Sequence, residues 1–357
     1  MPDQPQKLRV GVIGAGWWST TAHIPAIQQH PRAELTAVHR RSLQGARQVA
    51  RDFGIPHAFD DWQALIDSKL CDAVIVGTTP NVHFEQTRAA LQAGLHVLCE
   101  KPFTLHAAEA RELVEIAQSS GLQLLISCPW HFTPHGIEAR RLIRSGALGQ
   151  IKMISMLMTN PVHRLLKGLD TTPTHGTKVY VEPNAGSYND PSIAGGGQIY
   201  CQVSHAAAYL NYLTGAMPRA VSARFDFDNS PNDIYNTLQV ELDGGCLVSI
   251  ASTGATPRSI RNYEVRIYGT DAILLLELWQ GQMTLAPFDG EPVVYDPLPA
   301  DDIYPHLAPA LNLVDAAFDP AANRSPGITG LASMNIIEAA CRSAAAQGQW
   351  IRTEDLP

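Results

Sequence analysis

The sequence is short of several things, and each shortage closes off a class of function. Nowhere in its 357 residues is there a run of eighteen apolar side chains, so no segment has the length to cross a bilayer as a helix. The opening MPDQPQKLRV carries no apolar signal region. Basic residues do not dominate: 26 Lys and Arg stand against 34 Asp and Glu, a formal net charge of −8. That balance argues against a nucleic-acid or anionic-membrane surface. Cysteine is sparse and scattered (Cys71, Cys99, Cys128, Cys201, Cys246, Cys341), with no C-x-x-C and no metal-ligand spacing. Reduced core thiols in a cytoplasmic protein, neither secreted nor membrane-bound, are the expectation. No internal repeat or low-complexity tract is present. What remains, at 45% apolar content, is a globular chain long enough for two domains.

What is there is organised around Leu95-His96-Val97-Leu98-Cys99-Glu100-Lys101-Pro102-Phe103. The apolar run reads as a buried strand that stops at Pro102, which has no N–H to give a ladder. Glu100 and Lys101 then sit at the carboxyl end of a strand, the edge where open parallel sheets bind ligands. Upstream, the run Leu8–Ile13 leads into Gly14-Ala15-Gly16-Trp17-Trp18-Ser19. The first glycine permits a tight turn, the second lets backbone approach a pyrophosphate, and the third position needs only a small side chain, which serine meets imperfectly. A helix over 21–30 would present its N-terminus to the phosphates. The next strand, 35–38, ends in His39-Arg40-Arg41-Ser42, where an NAD enzyme places a carboxylate. Arginines there suit a 2′-phosphate, so NADP(H) is preferred and NAD(H) is the lesser partner; the alternative is two solvated arginines in a loop. Strand 73–77, the polar turn Thr78-Thr79-Pro80-Asn81-Val82-His83 and further helix–strand alternation complete a doubly wound parallel sheet near residue 128.

Beyond it the pattern changes. A helix over 134–145 and a strand over 151–159 precede a long polar stretch, 160–194, of the length usually reserved for a lid or binding loop. After Gly195-Gly196-Gly197 come an apolar helix over 199–213, five strands between 221 and 278, and two closing helices near 307–318 and 330–347. Strands in succession indicate an α+β domain with a large, mostly antiparallel sheet. The expected division is 1–128, a dinucleotide-binding Rossmann domain, and 129–357, a substrate and oligomerisation domain.

These pieces, in this order, resemble the Gfo/Idh/MocA (glucose–fructose oxidoreductase / inositol dehydrogenase) family: Gly11 to Gly16, His23 with Pro25, Thr79 to His83, Ala93 to Phe103, Gly146 to Ile151, the triple glycine with His205, and Tyr268 to Ala272. The resemblance implies a nicotinamide-dependent oxidoreductase moving hydride to or from a sugar, polyol or sugar acid, assembled as a homodimer or homotetramer through the exposed sheet face. It implies Lys101 holding the reacting oxygen and His205 exchanging its proton, an imidazole suiting that task near working pH. Gly14, Gly16, Trp17, Trp18, Arg40, Arg41, Thr78, Thr79, Pro80, Asn81, His83, Glu100 and Lys101 are expected at the cofactor. Lys101, His131, Arg164, Lys178, Tyr188, Asp190, Gln202 and His205 are expected at the substrate.

Two departures stand out. The family's helical aspartate is Cys201 here, leaving Gln198, Gln202, Tyr188 or Asp190 to supply polar contacts. His131 replaces an arginine common in relatives; it stands four residues from His135, but Pro134 intervenes and no carboxylate completes a metal site, so no metal is expected. His163, Arg164, Lys167, His175 and Lys178 make the long loop basic, either as a solvated face or as a reader of an anionic group. Loss of the aspartate keeps open a redox-neutral elimination, isomerisation or glycoside cleavage through transient oxidation. A non-catalytic dinucleotide-binding regulator is the remaining alternative.

Overall fold

The computed structural model describes residues 7–169, 180–183 and 185–357. Short apolar runs β1 (Leu8–Ile13), β2 (Ala33–His39), β3 (His57–Phe59), β4 (Ala73–Val76), β5 (His96–Cys99) and β6 (Leu124–Ile126) form a six-stranded sheet ordered β3-β2-β1-β4-β5-β6. Every pairing in it is parallel. β4 is buried at each of its positions, as a strand covered on both faces should be. Strand order reverses between β1 and β4, which opens a crevice beyond their carboxyl ends. The helix expected over 21–30 begins earlier, at residue 17, and Ser19–His23 is wound as a π-helix before Ile24–Gln29 resumes the α pattern.

The second sheet has nine strands: β7 (Met153–Thr159), β8 (Pro218–Asp226), β9 (Tyr235–Leu242), β10 (Leu247–Thr253), β11 (Asn262–Tyr268), β12 (Ala272–Glu277), β13 (Gln282–Pro287), β14 (Val293–Val294) and β15 (Ile351–Arg352). Their order is β14-β13-β12-β11-β7-β10-β9-β8-β15. Only β7 and β10 pair in parallel; the other pairings are antiparallel. Side chains of β9 alternate between buried and exposed along most of the strand, so one face carries core and the other meets solvent. β13 to β15 add to the expected strands: β14 and β15, of two residues each, are too short to display the two-residue period, and β13 alternates only at its start.

The two sheets are joined by the helix Gly327–Ala345, which packs on the helix Ala107–Ser120, on the helix Ser204–Thr214 and on β8. Phe103, just past the Glu-Lys-Pro corner, is 1% exposed. It lies where a Cβ on Gly330 would come within 2.7 Å of its ring. Truncating a phenyl in such a place costs about 3–5 kcal/mol. The helix Ala308–Phe318 returns to the first sheet: Ala310, Leu313, Val314 and Ala316 share a core with Leu8, Val10, Ile75 and Leu98. A helix that follows residue 128 by a long stretch of chain is therefore part of the cover of β1, β4 and β5.

The triple glycine answers to close approach. A Cβ on Gly197 would stand 2.2 Å from the Asp233 carbonyl oxygen and 2.8 Å from its amide nitrogen. Asp233 is buried, and its carboxylate accepts from Gly197 N (3.0 Å) and Ile199 N (2.8 Å). Burial raises its pKa against these donors and the Asn236 amide. It thereby anchors the start of the segment that carries Cys201 and His205. Gly197→Ala should lower unfolding free energy by about 1–3 kcal/mol, the usual range for overpacking against fixed neighbours; urea denaturation measures it, and an unchanged midpoint would contradict the close packing.

Candidate active site

At the mouth of β1 the backbone geometry is set by what can and cannot fit. Gly14 has φ +88°, and a Cβ there would meet Thr78 N at 2.8 Å and Gly77 C at 2.9 Å. Its N–H and that of Ala15 donate to His39 O at 3.1 and 3.0 Å, tying the turn to the end of β2. Ser19 does more than fit: it is buried, and its hydroxyl donates to Gly14 O at 2.8 Å. Gly16 is different, since a Cβ on it would meet nothing within 4 Å. It faces a cleft of about 860 Å³ that runs past Trp17, Trp18, Arg40, Arg41 and the Thr78–Asn81 turn. Trp17 Nε1 is a buried donor without a protein partner. Open backbone, a waiting donor and two guanidinium groups at the end of β2 fit a dinucleotide.

At the end of β5, Glu100 accepts from Lys101 N at 3.1 Å and pairs with His23 Nε2 at 2.8 Å. His23 is wholly buried and Glu100 nearly so. Burial would raise the Glu100 carboxyl, but His23, the Ser127 hydroxyl and the Lys101 ammonium together hold it below the usual carboxylate range. The Lys101–Pro102 peptide is cis. Lys101 Nζ reaches across the cleft to donate to Cys201 O at 3.0 Å. In a regular α-helix that carbonyl would be committed to the N–H four residues on; here Ile199–Val203 is a π-helix, and the carbonyl accepts from the lysine.

His205 is the second residue of the α-helical continuation, Ser204–Thr214, and lines the same cleft. It is 5% exposed, with Nδ1 unpartnered. Desolvation, then the Lys101 charge and His131, hold its pKa well below 6.5, so the ring is a neutral acceptor at pH 7. The near-neutral titration expected from the sequence moves towards acid. The wider π turn over Ile199–Val203 also takes Cys201 and His205 out of simple α-helical register, although both line the cleft.

Several expected contacts are absent from the cleft wall. His83 is fully buried between Pro102 O (2.9 Å from Nδ1) and Thr78 O (3.2 Å from Nε2), bracing two corners from behind. His131 is also sealed, stacked on Tyr212 with ring centroids 4.4 Å apart. The Ser325 hydroxyl donates to Ile126 O at 2.6 Å, so His131 Nδ1 carries the proton in its 2.8 Å contact with Ser325 Oγ. Burial and the neighbouring Arg140 push the His131 pKa down to about 3. Asp190 is exposed and accepts from Ser192 N and Oγ, capping the short helix Pro191–Ala194. Gln198 is buried and donates to Ser252 Oγ. Arg164 is exposed and off the cleft wall, while Lys167 is paired with Asp228. His175 and Lys178 lie outside the described residues. Tyr188 and Gln202 do line the cleft, as do Arg261, Trp279 and Tyr304, which no local pattern announced. Among the described residues no group of three or more His, Cys, Asp or Glu is placed to hold a metal.

Residues 8–127 match the family model for oxidoreductases with an NAD-binding Rossmann fold, and residues 137–275 match the C-terminal domain of that family. The chain belongs to the Gfo/Idh/MocA oxidoreductase family. D-xylose 1-dehydrogenase (NADP(+)) 2 of Haloferax volcanii is 25% identical, over 94% of this chain and 98% of its own. The dTDP-3,4-didehydro-2,6-dideoxy-alpha-D-glucose 3-reductase of Streptomyces violaceoruber is 35% identical over 44% of this chain and 45% of its own. The structure of an inositol dehydrogenase homolog from Azotobacter vinelandii, complexed with NAD+, superimposes with TM-score 0.81 over 98% of both chains at 21% identity, a likeness of fold.

A Gfo/Idh/MocA chain with an open Gly16 carries a direct test. Gly16→Val should leave unfolding free energy within about 0.5 kcal/mol. It should weaken dinucleotide binding by at least about tenfold (~1.4 kcal/mol), because the added methyls occupy the space the pyrophosphate needs. Thermal denaturation and a fluorescence titration with NAD(H) and NADP(H) read the two effects. Undiminished affinity would remove the pyrophosphate from Gly16.

Proposed function

We propose that this protein is a dehydrogenase or reductase of a sugar or sugar-derived hydroxy compound, using Lys101 and His205 on one oxygen. The observation that carries the reading is the convergence of Lys101, held by Cys201 O, and a neutral His205 on the cleft that begins at Gly16. A nicotinamide dinucleotide bound there supplies the hydride acceptor or donor. In the oxidative direction His205 takes the hydroxyl proton at an imidazole nitrogen, and the Lys101 ammonium steadies the negative charge growing on the same oxygen. In reduction the roles reverse, with His205 returning the proton. The sugar-acting relatives support the substrate class. Arg40 and Arg41 on the wall support NADP(H) over NAD(H), since guanidinium groups pair bidentately with a 2′-phosphate.

Following cofactor absorbance against a panel of sugars, polyols and aldonic acids tests the reading. Product formed without net cofactor change would put the redox-neutral alternative in its place. Lys101→Met and His205→Asn should each lower turnover by roughly 10²-fold or more. Because the His205 pKa is depressed, the oxidative rate should be level near pH 7 and fall only as pH drops well below 6.5 and the ring is protonated. Cys201→Asp sets a carboxylate nearby, favours imidazolium and should move that limb to higher pH. A pH–rate profile with its limb unmoved by His205→Asn would assign the base elsewhere. Separately, Arg40→Asp should reverse the cofactor preference through repulsion of the 2′-phosphate; equal affinities in parent and variant would end that assignment.

A further inference from the structure

Beyond Lys101 and His205 the cleft is walled by aromatic rings in mutual contact. Trp18 lies 6.4 Å from Tyr304, Tyr304 lies 5.5 Å from Trp279, and Trp130 meets Trp279 edge-on at 4.8 Å between centroids. The wall therefore starts at the dinucleotide turn and ends at Trp279. Over the Trp279 ring, at 5.3 Å, sits the Arg261 guanidinium. Arg261 immediately precedes β11, an interior strand of the nine-stranded sheet, and lines the same cleft. Of the loop residues expected to read a negative charge, His163 and Arg164 lie off the cleft wall, Lys167 is paired with Asp228, and His175 and Lys178 lie outside the described residues. Arg261 is the cation that the fold sets on the substrate side among described residues other than Lys101.

We propose that Arg261, with the Trp279–Tyr304 wall, is an oxyanion subsite that selects carbohydrates carrying a carboxylate or phosphate. The inference rests on the substrate reading above and narrows it. The indole face attracts a guanidinium cation and favours its place at the wall. Its fork of N–H donors then matches both oxygens of a carboxylate or two of a phosphate. Half-burial lowers the Arg261 pKa, yet a guanidinium stays charged throughout the working range, so the subsite presents a fixed positive charge in a partly dry setting. The apolar C–H face of a sugar ring meets the indole and phenol faces, while its hydroxyl carbon is offered to Lys101 and His205.

The test uses the full-length protein saturated with cofactor. Tryptophan fluorescence is titrated with D-gluconate, D-glucuronate, D-glucose 6-phosphate and D-glucose, and kcat and KM are measured for the same four. Oxyanionic ligands should bind at least about tenfold more tightly than glucose, the difference residing in KM. Arg261→Gln should bring that ratio towards one, and Arg261→Lys should restore part of it as a point charge. Preference for the two acids over the phosphate assigns a carboxylate source, and the reverse a phosphate source. Equal binding of all four, no binding by any oxyanionic ligand, or an acid-to-neutral ratio unmoved in Arg261→Gln overturns the subsite. Hydride transfer to glucose with no preference for acids would overturn the subsite and leave the dehydrogenase reading standing. Tight, Arg261-dependent binding of acids without any hydride transfer or product would do the opposite.

Discussion

A buried carboxylate governs the site. Glu100 closes β5 with His23 on one oxygen and the amide of Lys101 on the other, so it joins the helix after the glycine turn to the lysine that lines the cleft. Removing either partner would leave the other stranded away from water, a loss that runs to about 3–5 kcal/mol in such pairs. The turn at Gly14 and the corner at Pro102 are then held in one frame, and His83 repeats the device from behind by standing between Pro102 O and Thr78 O.

From that frame Lys101 spans to the second sheet. Its bond to Cys201 O is made on a π turn whose start is fixed by Asp233, itself reached by Gly197 N and Ile199 N. Lys101 and His205 are thus placed by the buried carboxylates of Glu100 and Asp233. Glu100 sets the lysine and Asp233 sets the histidine's helix.

The dry setting also sets the chemistry. His205 is neutral because burial and two neighbouring groups, Lys101 and His131, disfavour its charged form. His131 contributes from a sealed position, stacked on Tyr212, rather than by contact with a ligand. The open wall of the cleft is aromatic instead, through Trp279 and Tyr304.

Local sequence determined what depends on neighbours in the chain. Leu8–Ile13 before Gly14-Ala15-Gly16, and His96–Cys99 before Glu100-Lys101-Pro102, are legible because a strand's apolar run and the glycine or proline that ends it lie within a few residues. The parallel sheet, the antiparallel sheet and the strand-end positions of Lys101, Arg40 and Arg41 follow from such signals, whereas His205, on an apolar helix, is marked only by the family resemblance. Tertiary structure decided everything that depends on which way a side chain turns once two distant segments meet. His83, His131 and Asp190 have suitable chemistry, but burial or capping takes them out of the cleft. Arg261, Trp279 and Tyr304 sit in strand ends and loops with no local mark, and reached the cleft only when the second sheet and residues 300–308 closed on the first, while Asp233, equally unmarked, became the anchor behind it. The helix Ala308–Phe318 is the same case: its apolar residues announce that it is buried, while its partner, the face of β1, β4 and β5, is a matter of packing that no periodicity encodes.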